Sequence, residues 1–198
     1  MARKILFISH NASRSGAPIL LLQFLRWVKA NSDLSFSILV CEPGPLLPEF
    51  EALAETFVLD RRLNLVERIF RRLLGPTRWM RFRYQRLKKW RRDKNCSFIY
   101  TNTIVPVQEM ELFAQEGCPV ICHVHELDYV VRVTVGHDAF RKAIPFITHF
   151  IAGSKSQGKL HNELADLGRI VAVEKLIVAL KEQRVRKIID KTGGVSPG

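Results

Sequence analysis

Residues 4–29 set the expectation for the whole chain: Lys4-Ile5-Leu6-Phe7-Ile8-Ser9-His10, then Asn11-Ala12-Ser13-Arg14-Ser15-Gly16-Ala17-Pro18, then an apolar stretch from Ile19 to Lys29. The first run is short, almost unbroken and rich in β-formers, the pattern of a strand buried on both faces. A polar, glycine-containing turn follows. In the third run the spacing of Leu, Phe, Trp and Val suits a buried helix, with Ser15 placed to cap it and Pro18 tolerated in its first turn.

The strand–loop–helix unit recurs. Phe36 to Cys41 reads as a second strand, residues 43–45 (Pro-Gly-Pro) as a turn, Pro48 to Glu55 as a short helix and Thr56 to Asp60 as a third strand. Helical residues dominate 63–92 with a break at Gly75-Pro76. Ser97 to Asn102 predicts a fourth strand, Val107 to Gln115 a helix, Pro119 to His125 a fifth strand and Phe146 to Ala152 a sixth. Beyond these, Ser156 to Leu167 and Val178 to Asp190 read as helices, Arg169 to Val173 as a seventh strand, and Thr192 to Gly198 as linker or tail. Alternating strands and helices with short connections specify a doubly wound α/β domain with a mostly parallel sheet of six or seven strands flanked by helices. At 198 residues and 47% apolar the chain suits one well-buried core, so residues 1–190 read as one domain and 191–198 as its tail.

No apolar run reaches the roughly 18 to 20 residues needed to cross a bilayer, and Met1-Ala2-Arg3-Lys4 leads straight into the first strand rather than into a signal peptide. A cytoplasmic protein is the expectation, peripheral on the inner membrane face if its basic surface meets lipid. Cys41, Cys96, Cys118 and Cys122 contain no CxxC pair and read as reduced, partly buried thiols.

The formal charge of +12 is not spread over the molecule. Residues 61–94 hold 14 Lys and Arg against Glu67 and Asp93, while the remainder holds 17 basic and 17 acidic residues. A localised block of this kind signals an anionic partner surface. Its charges, among them Arg68, Arg71, Arg72, Arg78, Arg81, Arg86, Lys88 and Lys89, interleave with Leu, Ile, Phe, Trp and Tyr. Three readings compete: a solvated basic face whose apolar side packs on the sheet, an anionic membrane or lipid-linked acceptor, and nucleic acid. The last is disfavoured, since no helix-turn-helix, RNA-binding aromatic signature or zinc finger is present.

In an open parallel sheet, ligands bind outside the carboxyl ends of the strands, which selects Ser9 to Pro18, Tyr100 to Thr103, His123 to Asp128 and Gly153 to Ser156. Gly16 at a helix amino terminus could let a phosphate approach, or could merely permit a tight turn. His123-Val124-His125-Glu126 is the densest titratable cluster. Period-2 geometry puts its two imidazoles on one side of a strand, and His125 lies nearer the crevice. No third ligand stands at a spacing that demands a metal. The hydroxyl and amide groups of Asn102, Thr103 and Ser154 suit sugar or phosphate oxygens and equally suit capping.

The ordered segments KILFISHNASRSGAPILLLQFLRW, PGPLLPEFEAL, IYTNT, PVICHVHEL and FIAGSKS, over about residues 4–157, resemble the amino-terminal domain of family 4 glycosyltransferases of the GT-B fold. That resemblance implies a Rossmann-like three-layer domain forming the acceptor-side half of a two-domain enzyme. Gly16, Ala17 and Pro18 would belong to the loop facing the donor phosphates, and His125 to the catalytic side of the cleft near the transferred sugar. Asn102, Thr103, Glu126 and Ser154 would line the cleft. It further implies a nucleotide-sugar co-substrate, a sugar, lipid-linked or other acceptor, and no metal or cofactor. The family's donor-binding motifs are expected after residue 198, so sugar transfer would need a carboxy-terminal partner domain and the chain alone would be inactive. The alternative is a non-enzymatic α/β module that binds an anionic membrane or polyanion through residues 61–94.

Overall fold

The computed structural model describes residues 4–60, 65–92, 96–114, 117–124 and 141–152. In chain order they form β1 (Lys4–Asn11), α1 (Gly16–Asn31), β2 (Ser35–Glu42), α2 (Leu47–Leu53), β3 (Thr56–Val58), α3 (Leu65–Arg92), β4 (Cys96–Thr101), α4 (Val107–Ala114), β5 (Val120–Val124), a 3-10 turn (Ile144–Phe146) and β6 (His149–Ala152). The six strands make one sheet in the order β3-β2-β1-β4-β5-β6, and every pairing is parallel. This is a Rossmann-like doubly wound arrangement, in which the connections run outward from the centre in both directions. The expected helices at 156–167 and 178–190 and the strand at 169–173 lie outside the described residues.

β1 is central because it is apolar on both sides. Ile5 and Phe7 face one layer, joining Leu21, Leu22 and Leu25 of α1 and Phe50 of α2. Leu6 and Ile8 face the other, joining Leu87 of α3 and Met110 and Phe113 of α4. The two faces alternate residue by residue, as a strand's period of two requires, and five successive residues, Ile5 to Ser9, are buried. Phe7 anchors the first layer through edge and tilted contacts with Phe24, Phe36 and Tyr100, at centroid distances of 6.0, 5.6 and 5.3 Å.

α1 starts earlier than its apolar run, at Gly16. Ser15 takes the N-cap position but makes no capping bond with its side chain. An N-cap hydroxyl usually accepts from the second or third helical N–H. Here the third residue is Pro18, which has none, and the Ser15 hydroxyl instead pairs with Ser13 Oγ at 2.8 Å.

α3 bends where the sequence predicts, at Gly75, whose φ of 73° and ψ of 167° lie outside helical space. That positive φ favours glycine. Among the described residues no helix is long and apolar enough to cross a membrane. All four cysteines are free, with Cys122 buried and the others half-buried.

Candidate functional site

Strand order reverses between β1 and β4: after β1 the chain turns to the α1 layer, and after β4 to the α4 layer. At such a switch point the two loops diverge, and open α/β sheets bind ligands in the crevice this forms at the carboxyl edge. Asn102 bridges the switch point. Its backbone N–H donates to Ile8 O at 3.0 Å and its side-chain Nδ2 donates to Ala17 O at 2.5 Å. Asn102 is only 1% exposed, so the amide acts as a strut tying the end of β4 to the start of α1. The neighbouring Thr103 is equally buried, and its Oγ1 accepts from Val105 N–H at 3.2 Å. The structure thus brings Asn102 to Ala17 at the start of α1, and these side-chain bonds of Asn102 and Thr103 serve the protein's own backbone.

The loop between β1 and α1 is built by short polar side chains. Asn11 Oδ1 accepts from Ser13 N–H at 3.1 Å and from Ser13 Oγ at 2.8 Å, an Asx-type turn. The turn after β2 holds it from below: Leu46 N–H donates to Ala12 O at 2.9 Å, and Ala12 N–H donates to Glu42 O at 3.0 Å. Gly44 lies so close beneath that a Cβ there would sit 2.4 Å from Ala12 O and 2.9 Å from Ser13 N.

Gly16 is the opposite case. Its φ is not in the left-handed region, and a Cβ on it would meet no atom within 4 Å. The tight-turn explanation for this glycine therefore fails. The opening of α1 at Gly16 is exposed, Ala17 is half-buried and Pro18 is buried, and an open depression lined by Gly16, Ala17, Ile19, Leu20 and Gln23 lies beside them.

Of the HVHE cluster, the structure describes His123 and not His125 or Glu126; Ser154 also lies outside the described residues. His123 is half-buried on β5, and its Nδ1 lies 2.6 Å from the Tyr100 hydroxyl, with the rings edge-on at 6.1 Å. Burial pushes the Tyr100 phenol well above its ordinary range, so Tyr100 is a neutral partner to the imidazole. A second imidazole, His10, is the penultimate residue of β1, and its buried Nδ1 has no protein partner. Burial lowers the pKa of His10, partly offset by the Glu42 carboxylate, which favours the neutral ring. Nothing in the spacing around His10 marks it out, because an orphan nitrogen is visible only in three dimensions.

The basic segment divides by face. Arg72, Arg78, Arg81, Arg86, Lys88 and Lys89 are exposed, while the side chains of Arg68 and Arg71 in α3 fall outside the described ones. Arg83 and Arg91 turn inward. Arg83 pairs with Asp60 Oδ1 at 2.9 Å and donates through Nε to Leu59 O at 3.2 Å; Arg91 donates to Cys118 Sγ and lies 4.9 Å from the Phe113 ring centroid. Beside them Tyr84 donates to Gln108 Oε1 at 2.8 Å and Glu109 Oε1 at 2.9 Å. Burial raises the Glu109 carboxyl above its ordinary pKa, partly offset by hydrogen bonds from its own backbone and Tyr84 and by the Arg83 charge. The apolar side chains Tyr84, Leu87 and Trp90 of α3 pack into the core on the sheet.

Among the described residues no three of His, Cys, Asp and Glu converge to hold a metal ion. No family model and no curated protein sequence matches the chain. Solved structures do match in fold. Anabaena HepE in complex with UDP and glucose superposes with a TM-score of 0.55 at 16% identity, over 86% of this chain and 44% of that one. The HepE complex with UDP-glucose gives 0.54 at 15% identity, over 85% of this chain and 43% of that one. The chain therefore spans less than half the length of the solved chains it matches, and at this identity the likeness is one of fold.

Proposed function

We propose that this chain is the acceptor-side half of a GT-B, family 4-like glycosyltransferase. In this reading it takes part in sugar transfer from a nucleotide-sugar donor once a carboxy-terminal donor domain is paired with it. The observation that carries the reading is Gly16. Neither backbone conformation nor packing asks for glycine there, yet it opens a 16-residue helix at the switch point, where a ligand's phosphate would need close approach to backbone N–H groups. The shared fold with HepE, solved with UDP and glucose, supports a nucleotide sugar as that ligand.

The roles follow from the chemistry of the crevice. Backbone N–H groups at Gly16 and Ala17 would face donor phosphate oxygens, with Asn102 keeping the start of α1 in place through Ala17 O. His125, following directly on β5, would approach the transferred sugar, with Glu126 and Ser154 further along the cleft wall. Departure of a nucleoside diphosphate develops negative charge that preorganised donors must stabilise. One helix terminus supplies only part of that, so the chain alone is expected to be inactive.

The test is an NMR titration of the chain with UDP-glucose, followed by a turnover assay. Weak binding should shift the amides of Gly16, Ala17, Asn102 and Thr103, and Gly16→Val should abolish those shifts while leaving the fold intact. An unperturbed crevice at saturating nucleotide sugar would sink the cleft assignment. Robust turnover by this chain alone would instead overturn the need for a second domain.

A further inference from the structure

The inner and outer faces of α3 have different fates. Inward, Arg83 is held at Asp60 and Leu59 just after β3, Trp90 donates to Glu55 Oε1 at 2.9 Å just before β3, and Arg91 reaches Cys118 before β5. Eight residues separate Arg83 from Arg91, so about 12 Å of helix covers the sheet from carboxyl to amino edge. α3 has 28 residues. The part before Arg83 therefore runs on past the carboxyl edge, bending at Gly75 on the way.

This outer part and the outward face beyond it combine two features that are unfavourable in water. Ile69 and Leu73, four residues apart and so on one helical face, are 53% and 77% exposed, and Phe82 is 43% exposed. Arg72 next to Leu73, and Arg78, Arg81, Lys88 and Lys89 beyond the bend at Gly75, are also exposed. No acidic residue occurs between Glu67 and Asp93, so this face lacks the i,i+4 acid–base pairs of an ordinary solvated helix and its like charges repel one another. A surface that takes both aliphatic side chains and cationic heads is the interface of a bilayer carrying anionic headgroups. Polyphosphate alone would satisfy the charges but leave Ile69 and Leu73 in water, because aliphatic side chains cannot stack on bases.

We infer that the outward face of α3 docks the protein on an anionic phospholipid membrane, with Ile69 and Leu73 entering the acyl boundary and Arg72, Arg78, Arg81, Lys88 and Lys89 lying at the headgroups. The inference does not depend on transferase activity, and its test reads lipid binding alone. The full chain is floated with phosphatidylcholine vesicles and with vesicles in which phosphatidylglycerol replaces part of the lipid. Partition should require the anionic lipid and fall with added salt. Each basic residue near the surface is worth about a fivefold change in partition, so the combined R78Q, R81Q, K88Q and K89Q variant should bind on the order of several hundredfold more weakly. Leu73→Ser should weaken partition about tenfold or more. In an otherwise unaltered chain, Leu73→Trp should give a blue-shifted emission quenched by brominated acyl chains. No binding, equal binding to neutral vesicles, or L73W emission that stays unquenched on bound vesicles overturns the inference. Tighter binding to RNA than to phosphatidylglycerol vesicles would overturn it in favour of nucleic acid.

Discussion

Gly44→Ala is the substitution for which the structure makes the sharpest statement. The new methyl carbon would sit 2.4 Å from Ala12 O, 2.5 Å from Ala12 C and 2.9 Å from Ser13 N, all of them backbone atoms that no rotamer change can move aside. Restoring van der Waals contact requires the loop and the turn to separate by about 1 Å. That separation works against the Leu46 N–H to Ala12 O bond of 2.9 Å. Overpacking costs about 1–3 kcal/mol, and a weakened backbone bond adds about 0.5–1.5 kcal/mol. A loss of about 2–4 kcal/mol is expected. With a urea dependence of about 2 kcal/mol per molar for a domain of this size, the midpoint should fall by about 1–2 M. Gly16→Ala is the matched control, since its Cβ meets nothing; it should leave the midpoint unchanged or raise it slightly. Tryptophan emission and far-ultraviolet circular dichroism through a urea titration would measure both. If Gly44→Ala unfolds within about 0.5 kcal/mol of the parent, the crevice loop is not clamped by the turn after β2, and the reasoning fails.

Three further outcomes can be checked. Glu109 is 8% exposed and burial raises its carboxyl pKa; a raised folded-state pKa means stability present at low pH and lost as pH climbs through it. Glu109→Gln keeps an acceptor for the Tyr84 hydroxyl without the charge, so in thermal melts it should be more stable than the parent at pH 7, with the gap closing below about pH 4; a variant clearly less stable at pH 7 contradicts this. Tyr100→Phe removes the 2.6 Å contact with His123 Nδ1 and should cost about 1–3 kcal/mol in guanidinium unfolding; a neutral result would mean water replaces the phenol without loss. Arg83→Met deletes the bonds to Asp60 and Leu59 O. Because Asp60 is half exposed, about 1–2 kcal/mol should be lost, and hydrogen exchange should quicken in the second segment of α3; unchanged exchange would show that the aromatic contacts alone hold that helix.

The alternation of apolar strands with amphipathic helices made the doubly wound class legible, and β1 did so most clearly, because a short β-rich run buried on both faces suits the centre of a parallel sheet. The break in α3 was legible for the same kind of reason, since Gly75-Pro76 is a local chemical instruction. Ser15 was misread in one respect: the cap position was evident, but Pro18 at the third helical residue removed an N–H that the cap could have bonded. Arg83 and Arg91 were indistinguishable from their neighbours in composition. Helical phase against the sheet sent them inward to Asp60 and Cys118 and left Arg78, Arg81, Lys88 and Lys89 outside. His125, Glu126 and Ser154 lie outside the described residues, so their place in the crevice rests on the proposed function.

By itself the sequence determined the layers, the parallel sheet, the polar loop opening α1 and the concentration of charge between 61 and 94, because each follows from short-range periodicity or composition. Strand order was decided only by the tertiary structure: β1 lies between β2 and β4, and that adjacency brings Asn102 to Ala17 at the start of α1. The same holds for Gly44 under Ala12, for the Tyr100–His123 contact and for the orphan nitrogen of His10. The Tyr100–His123 pair is 23 residues apart along the chain, and contacts at such separations are made by packing of whole elements, which local side-chain chemistry does not encode.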